Sequence, residues 1–551
     1  PRMMRRRRRA PPVRAGSGAV STDAVWQRAS EVSRCARLGQ TVAMSAPSIP
    51  FSSVPDVAVA RGVPRSATLV GVAVGESGAV PRSLGISRRD LERLGFSGRI
   101  GQTLVVPRRD GMSSVAVGVG TKPDANQLRD AAAAFVRACG RHRRLALDLS
   151  SAWSANRADA RAVTEGAILA AYRYPGITAK PDTASRCDEL TVVSPASRAV
   201  ETGVRQGAVT ARAATLARDL ANTPPAHLNA RDIADLAVSL GQRHGFGVEV
   251  FDNDDLVEMG CGGLLGVNRG STEPARLVRL TFEPSNPKGH VALVGKGVMY
   301  DSGGISLKPS DAFHVVMKMD MSGAAAVLST MTALRDLRCR TRVTGYLVCT
   351  DNMPSGSALK LGDVLTMRNG KSVEIHNTDA EGRLILADGL SLAVEDGPDA
   401  IFDIATLTGA AMAALGPEVA AVLGNDQATV DRIRSASSST DEPVWQMPPE
   451  PTRKVEYKPL LDKAIELWQL PMETQRYRKL LDSVAADMRN IGGPYGGCIT
   501  AAIFLSEFVG DVPWAHIDIA GPMKVDGDES WRSKGATGFG TRLLIDTVTN
   551  W

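Results

Sequence analysis

The stretch NTDAEGRLILADGL (377–390) sets Asp379, Glu381 and Arg383 at every second position, then runs into apolar residues at helical spacing. In an extended segment, residues i, i+2 and i+4 point to one side. The spacing therefore predicts two acids and a base facing one cavity, with a helix from near Leu384 holding them. Outward from this stretch, polar residues recur at the ends of apolar runs. HVALVGKGVMYD (290–301) delivers Lys296 and Asp301 just before the turn Ser302-Gly303-Gly304. Lys308 follows in ISLKP, and Asp320 lies in MKMDMSGAAA at a predicted helix start.

Four apolar runs, 290–301, 342–350, 399–407 and 514–521, lack polar alternation. Helical stretches such as SGAAAVLSTMTALRDL (322–337) and ITAAIFLSEFV (499–509) separate them. This order predicts a mostly parallel central sheet covered by helices on both faces. Ligands bind beyond the carboxyl ends of such strands. From about 55 to 200, short Val-rich runs alternate with Ala/Arg-rich helical segments, which predicts a smaller α/β domain. At 551 residues the chain is too long for one ordinary core. The expected organisation is a leader over 1–43, an N-terminal α/β domain over 44–203, a connecting helix over 204–225 and a catalytic domain over 226–551. Asn222-Thr223-Pro224-Pro225 ends the connecting helix.

The net charge of +6 is misleading. Residues 1–43 hold ten Arg, no Lys, and only Asp23 and Glu31, so they carry +8 and the remainder carries −2. An Arg-rich, acid-poor leader fits a transit peptide or a nucleic-acid-binding arm. The plainer expectation is an upstream extension without a structural role, with the natural product beginning near Met44. The seven Cys (35, 139, 187, 261, 339, 349, 498) form no CxxC or CxxH spacing. That predicts reduced thiols in a cytoplasmic protein. No run approaches the ~18 apolar residues of a membrane span. VWQMPPEPTRKVEYKPLLD (444–462) is echoed by LWQLPMETQRYRKLLD (467–482), a local duplication.

Four carboxylates at the end of a sheet repel one another, and divalent cations relieve that repulsion. Oxygen-rich sites accept Mn²⁺, Co²⁺ or Zn²⁺. Taken singly, each residue has a plainer reading. Asp320 fits an N-cap, Arg383 a surface ion pair, and Lys296 a snorkelling side chain. His376 is the one histidine beside the acids and reads as a supporting residue.

GKGVMYDSGGISLKPS (295–310), MKMDMSGAAA (317–326), NMPSGSALKLGDV (352–364), NTDAEGRLILADGL (377–390) and DIATLTGA (403–410) resemble the leucyl aminopeptidase (cytosol aminopeptidase) family, as do NIGGPYGGCITAAIFLSEFV and WAHIDIAGP. The likeness covers roughly 215–551. It implies a two-metal centre ligated by Lys296, Asp301, Asp320, Asp379 and Glu381, with Lys296 a neutral amine. It implies that Lys308 stabilises an oxyanion and that Arg383 holds a bicarbonate acting as general base. Met317, Leu407 and Gly409 would border the pocket for the first side chain. The implied activity is release of N-terminal, Leu-like residues from peptides by a homohexamer. Three residues depart from the family pattern: Tyr300, Ser322 and His376. A hexameric DNA-binding protein and a two-metal phosphoesterase are the competing readings. The −2 body charge counts against the first, and the lack of a basic cluster beyond Lys308 and Arg383 counts against the second.

Overall fold

The computed structural model describes residues 49–107, 113–140, 142–179, 187–195, 197–447 and 477–551. The leader 1–43 and most of the 444–482 duplication lie outside them. The N-terminal sheet has the order Asp56–Ala60, Glu189–Val193, Arg144–Asp148, Leu69–Val74, Ser113–Gly118, Thr103–Pro107. Its neighbours are parallel except the last pair. Alternation along its strands splits the core in two. Leu69, Val115 and Leu145 face the helices Ala125–Ala138 and Arg157–Ala171, while Val70, Ala116 and Ala146 face Leu84, Leu91 and Phe96.

The larger sheet has eight strands. Its centre is Arg342–Asn352, His290–Asp301, Ala400–Ala405 and Trp514–Asp518, all parallel. These are the four runs that lacked alternation, as doubly covered strands do. Val291 and Leu293 face the helix Ser322–Ala333, and Ala292 and Val294 face the helix Gly382–Glu395. The strands Arg276–Phe282 and Gly247–Phe251 extend one edge, and Ala420–Gly424 and Val444–Gln446 the other. Arg276–Phe282 and Ala420–Gly424 run antiparallel to the central strands they join. Among the described residues no helix is long and apolar enough to cross a membrane. The six described cysteines are free and buried.

The segment expected as a connector is part of a longer helix, Arg198–Asn222, followed by a 3-10 turn at Pro225–His227. This helix packs tightly on Arg157–Ala171 because Gly207 has no side chain there. A Cβ on Gly207 would lie 2.5 Å from the Arg161 carbonyl oxygen. Both sheets lean on this helix and belong to one compact unit, Ile49–Trp551. A buried charge cluster ties them further. Glu165 accepts from Arg129 at 3.0 Å, from Arg161 at 2.8 Å, from Thr210 at 2.6 Å and from Arg542 at 3.1 Å. Burial works against its charge, but the three guanidiniums outweigh that and hold the carboxyl below the usual range.

Near the end of the long helix, Asp219 accepts from Ser52 N at 2.8 Å and Ser52 Oγ at 2.5 Å. Burial pushes its carboxyl up to about 6 despite these bonds. The folded protein therefore keeps a proton there between pH 4 and 6 that the unfolded chain has lost. Stability is greatest below that window and falls as pH rises through it. Asp219→Asn is expected to flatten this part of the pH–stability curve by on the order of 3 kcal/mol, measured by denaturant unfolding between pH 4 and 7.

Candidate metal centre

Asp301 and Asn352 end neighbouring parallel strands, and Thr406 follows a third. Their side chains meet at one place beyond the sheet. Asp301 Oδ1 accepts from Gly303 N at 2.9 Å and Asn352 Nδ2 at 2.8 Å. Asn352 Nδ2 also donates to the Thr378 carbonyl at 3.0 Å, which fixes the turn carrying Asp379. Thr406 Oγ1 donates to Asp320 Oδ1 at 2.7 Å. Asp320 itself sits between the 3-10 turn Val316–Met319 and the helix Ser322–Ala333.

The segment 377–383 is not an extended strand. Residues 378–379 form a turn, Glu381 has helical dihedrals, and the helix begins at Gly382. Asp379 and Glu381 still converge, through a turn rather than a shared strand face. Arg383 stands in the first helical turn, where its Nη1 donates to the Asn490 carbonyl at 2.9 Å. Asn490 also accepts from His376 N at 2.9 Å and donates to the Asn377 carbonyl at 2.6 Å, so it clamps the whole turn.

One carboxylate oxygen from each of Asp301, Asp379 and Glu381 lies within 4.8 Å of the others. Lys296 Nζ pairs with Asp320 Oδ2 at 2.9 Å and Glu381 Oε1 at 2.8 Å, and donates to the Thr406 carbonyl at 2.8 Å. Lys308 Nζ pairs with Asp301 Oδ2 at 2.8 Å and with Asp379 Oδ1. Two ammonium groups thus face four carboxylates, which leaves an excess of negative charge. Burial, then the neighbouring carboxylates, push Glu381 and Asp379 above the usual carboxyl range. Asp320 is raised well above it, chiefly by burial. Glu381 Oε2 is buried with no hydrogen-bond partner among the described residues. A buried unpaired acceptor in a surplus of carboxylates is what divalent cations would satisfy, so the donor set fits a metal.

The neutral amine expected of Lys296 is not the form its present neighbours favour. Burial opposes its charge, but Asp320, Glu381 and Asp301 outweigh burial and hold the ammonium above the ordinary lysine range. To ligate a metal, Lys296 must release a proton, as metal binding commonly requires. Met317 is buried, and its carbonyl accepts from Asp320 N at 3.2 Å. Leu407 follows Thr406, and its N–H donates to Asp518 at 3.1 Å. Gly409 begins the helix Gly409–Leu415, with open space where a Cβ would stand. His376 turns to Glu374 at 3.0 Å, away from the acids. Asn352, Thr406, Asn490 and Asp518 escaped the reading of the sequence. Three of them stand at or just past the end of a central strand, and that position was the available signal.

Gly382 makes room for Lys296. A Cβ there would meet Lys296 Nζ at 2.6 Å and Cε at 2.7 Å. Gly382→Ala is expected to leave the circular dichroism spectrum unchanged, since alanine suits the helix. It should displace Lys296 and weaken Mn²⁺ binding about 10- to 100-fold by calorimetry.

Comparison with known proteins converges with this geometry. Residues 215–465 and 461–545 match the cytosol aminopeptidase family, catalytic domain, and residues 81–181 match its N-terminal domain. A probable cytosol aminopeptidase from Streptomyces coelicolor is 38% identical over 89% of this chain and 96% of its own length. Another from Streptomyces avermitilis is 40% identical over 83% of this chain and 87% of its own. The solved structure of the bottromycin maturation enzyme BotP in complex with Mn is 38% identical, with a TM-score of 0.77 over 88% of this chain and 99% of that one. The chain belongs to the cytosol aminopeptidase family and is a metallo-exopeptidase of that family.

Proposed function

We propose that the protein removes Leu-like residues from the amino ends of peptides, using two divalent cations held by Lys296, Asp301, Asp320, Asp379 and Glu381. The observation that carries this reading is the surplus of carboxylates, with Glu381 Oε2 buried and unpaired among the described residues. Such cations, Mn²⁺, Zn²⁺ or Co²⁺, supply the positive charge that ionises a nucleophilic water near neutral pH and polarises a peptide carbonyl. The family assignment favours this reading over DNA binding.

The chain's own groups then have separable tasks. Asp301, Asp379 and Glu381, whose oxygens converge, would be among the carboxylates that hold the cations. Lys308 keeps its charge, because Asp301, Glu381 and Asp379 outweigh the burial that opposes it. It is the donor for the carbonyl oxygen as negative charge develops there. Arg383 Nε is buried with no hydrogen-bond partner among the described residues, which leaves a donor for a small oxyanion. Bicarbonate at that position would supply a general base. Met317, Leu407 and Gly409 border an apolar place for the first side chain, with Gly409 giving it room.

We place the protein in the cytoplasm as a homohexamer. Its buried free thiols suit a reducing compartment. Ile305, Leu307 and Val315 are 47%, 60% and 71% exposed, apolar side chains that assembly would cover. Light scattering is expected to give six times the chain mass, and a monomer would contradict the assembly.

Glu381→Ala is expected to abolish hydrolysis of leucine p-nitroanilide in a protein that still folds. Lys308→Ala should lower kcat about 10²- to 10³-fold, as loss of an oxyanion donor does. Wild-type enzyme should leave p-nitrophenyl phosphate intact. Retained peptidase activity in purified Glu381→Ala protein would remove the two-metal assignment.

A further inference from the structure

Behind the metal centre, on the sheet face covered by Gly382–Glu395 and Gly497–Ser506, a polar group is sealed into the core. Trp514 Nε1 donates to Asp403 Oδ2 at 2.7 Å, and His516 Nδ1 lies 2.6 Å from Asp403 Oδ1. All three residues are at most 1% exposed. An ionised carboxylate only accepts, so Nδ1 carries the proton. His516 Nε2 is buried with no hydrogen-bond partner among the described residues. Apolar side chains would fill this volume without desolvating a carboxylate and an imidazole.

The group stands where it can act on the site. Asp403 and His516 are register partners on adjacent parallel strands. Two residues beyond His516, Asp518 accepts from Thr408 Oγ1 at 2.6 Å and from Leu407 N. Three residues beyond Asp403, Thr406 accepts from Lys296 and donates to Asp320. The pair therefore backs the segment 406–409 from both of its strands.

We infer that Asp403 and His516 form a positioning pair for the reaction. The imidazole, oriented by Asp403 and Trp514, sets the placement of the 406–409 segment. Neither residue touches substrate or the reacting atoms. The inference rests on the peptidase reading of the site.

Two substitutions in the full-length, metal-loaded enzyme separate this role from a plain brace. Asp403→Asn can keep both hydrogen bonds, accepting from Trp514 and donating to Nδ1, which moves the ring proton to Nε2. His516→Asn keeps a donor toward Asp403 and removes Nε2. A brace would survive both. The positioning pair predicts near wild-type melting temperatures, a KM for leucine p-nitroanilide changed less than about threefold, and a kcat lowered about 10- to 100-fold. Wild-type kcat in either folded variant overturns the proposal, and so does failure of both variants to fold. If one fails to fold, the other decides. A wild-type enzyme with no peptidase activity would instead overturn the function on which the inference rests.

Discussion

Mutual repulsion among Asp301, Asp320, Asp379 and Glu381 is the constraint around which the larger sheet is organised. Burial makes each charge costly, and proximity makes each harder to hold beside the others. The chain answers with two ammonium groups and a set of hydrogen bonds from Gly303, Asn352 and Thr406. The answer is incomplete, because the carboxyls of Asp320, Asp379 and Glu381 remain shifted upward and Glu381 Oε2 has no hydrogen-bond partner among the described residues. A residual demand for positive charge is therefore built into the fold, and metal ions are the chemistry that meets it.

The fold can hold such a cluster because its supports are rigid and come from several directions. Parallel strands deliver Asp301, Asn352 and Thr406 from one side, and turns leading into helices deliver Asp320, Asp379 and Glu381 from the other. The strands are buried on both faces, so a shift in one would disrupt two packed layers. Gly382 and Asn490 then adjust the fine placement, one by leaving space for Lys296 and the other by clamping the 376–383 turn. Binding sites on regular elements are more precise than those on free loops.

Much of this was legible in the sequence. Strands covered on both faces read as unbroken apolar runs, and the four such runs are the central four strands. The edge strands were not legible for the opposite reason. Gly247–Phe251 is half exposed, and its polar residues hide it among loops. The structure brings the acids at 379 and 381 together, but not through the extended geometry assigned to them. A spacing of two fits a strand face and also fits a turn entering a helix, and only the dihedrals of Glu381 decide between them. Asn490 was invisible because its contacts lie more than a hundred residues away in sequence. The pairing of Lys296 with Asp320 and Glu381 was also beyond the sequence, since these residues come from separate segments of the chain.

The central claim is that these carboxylates hold a pair of cations in one shared volume. A crystal structure of the Mn²⁺-loaded protein with anomalous scattering tests it most directly. The account predicts two peaks per chain, both among Asp301, Asp320, Asp379 and Glu381, with Lys296 turned from its carboxylate partners toward one ion. A fully loaded crystal with no peak among these residues, and both lysines still paired as they are here, would contradict it.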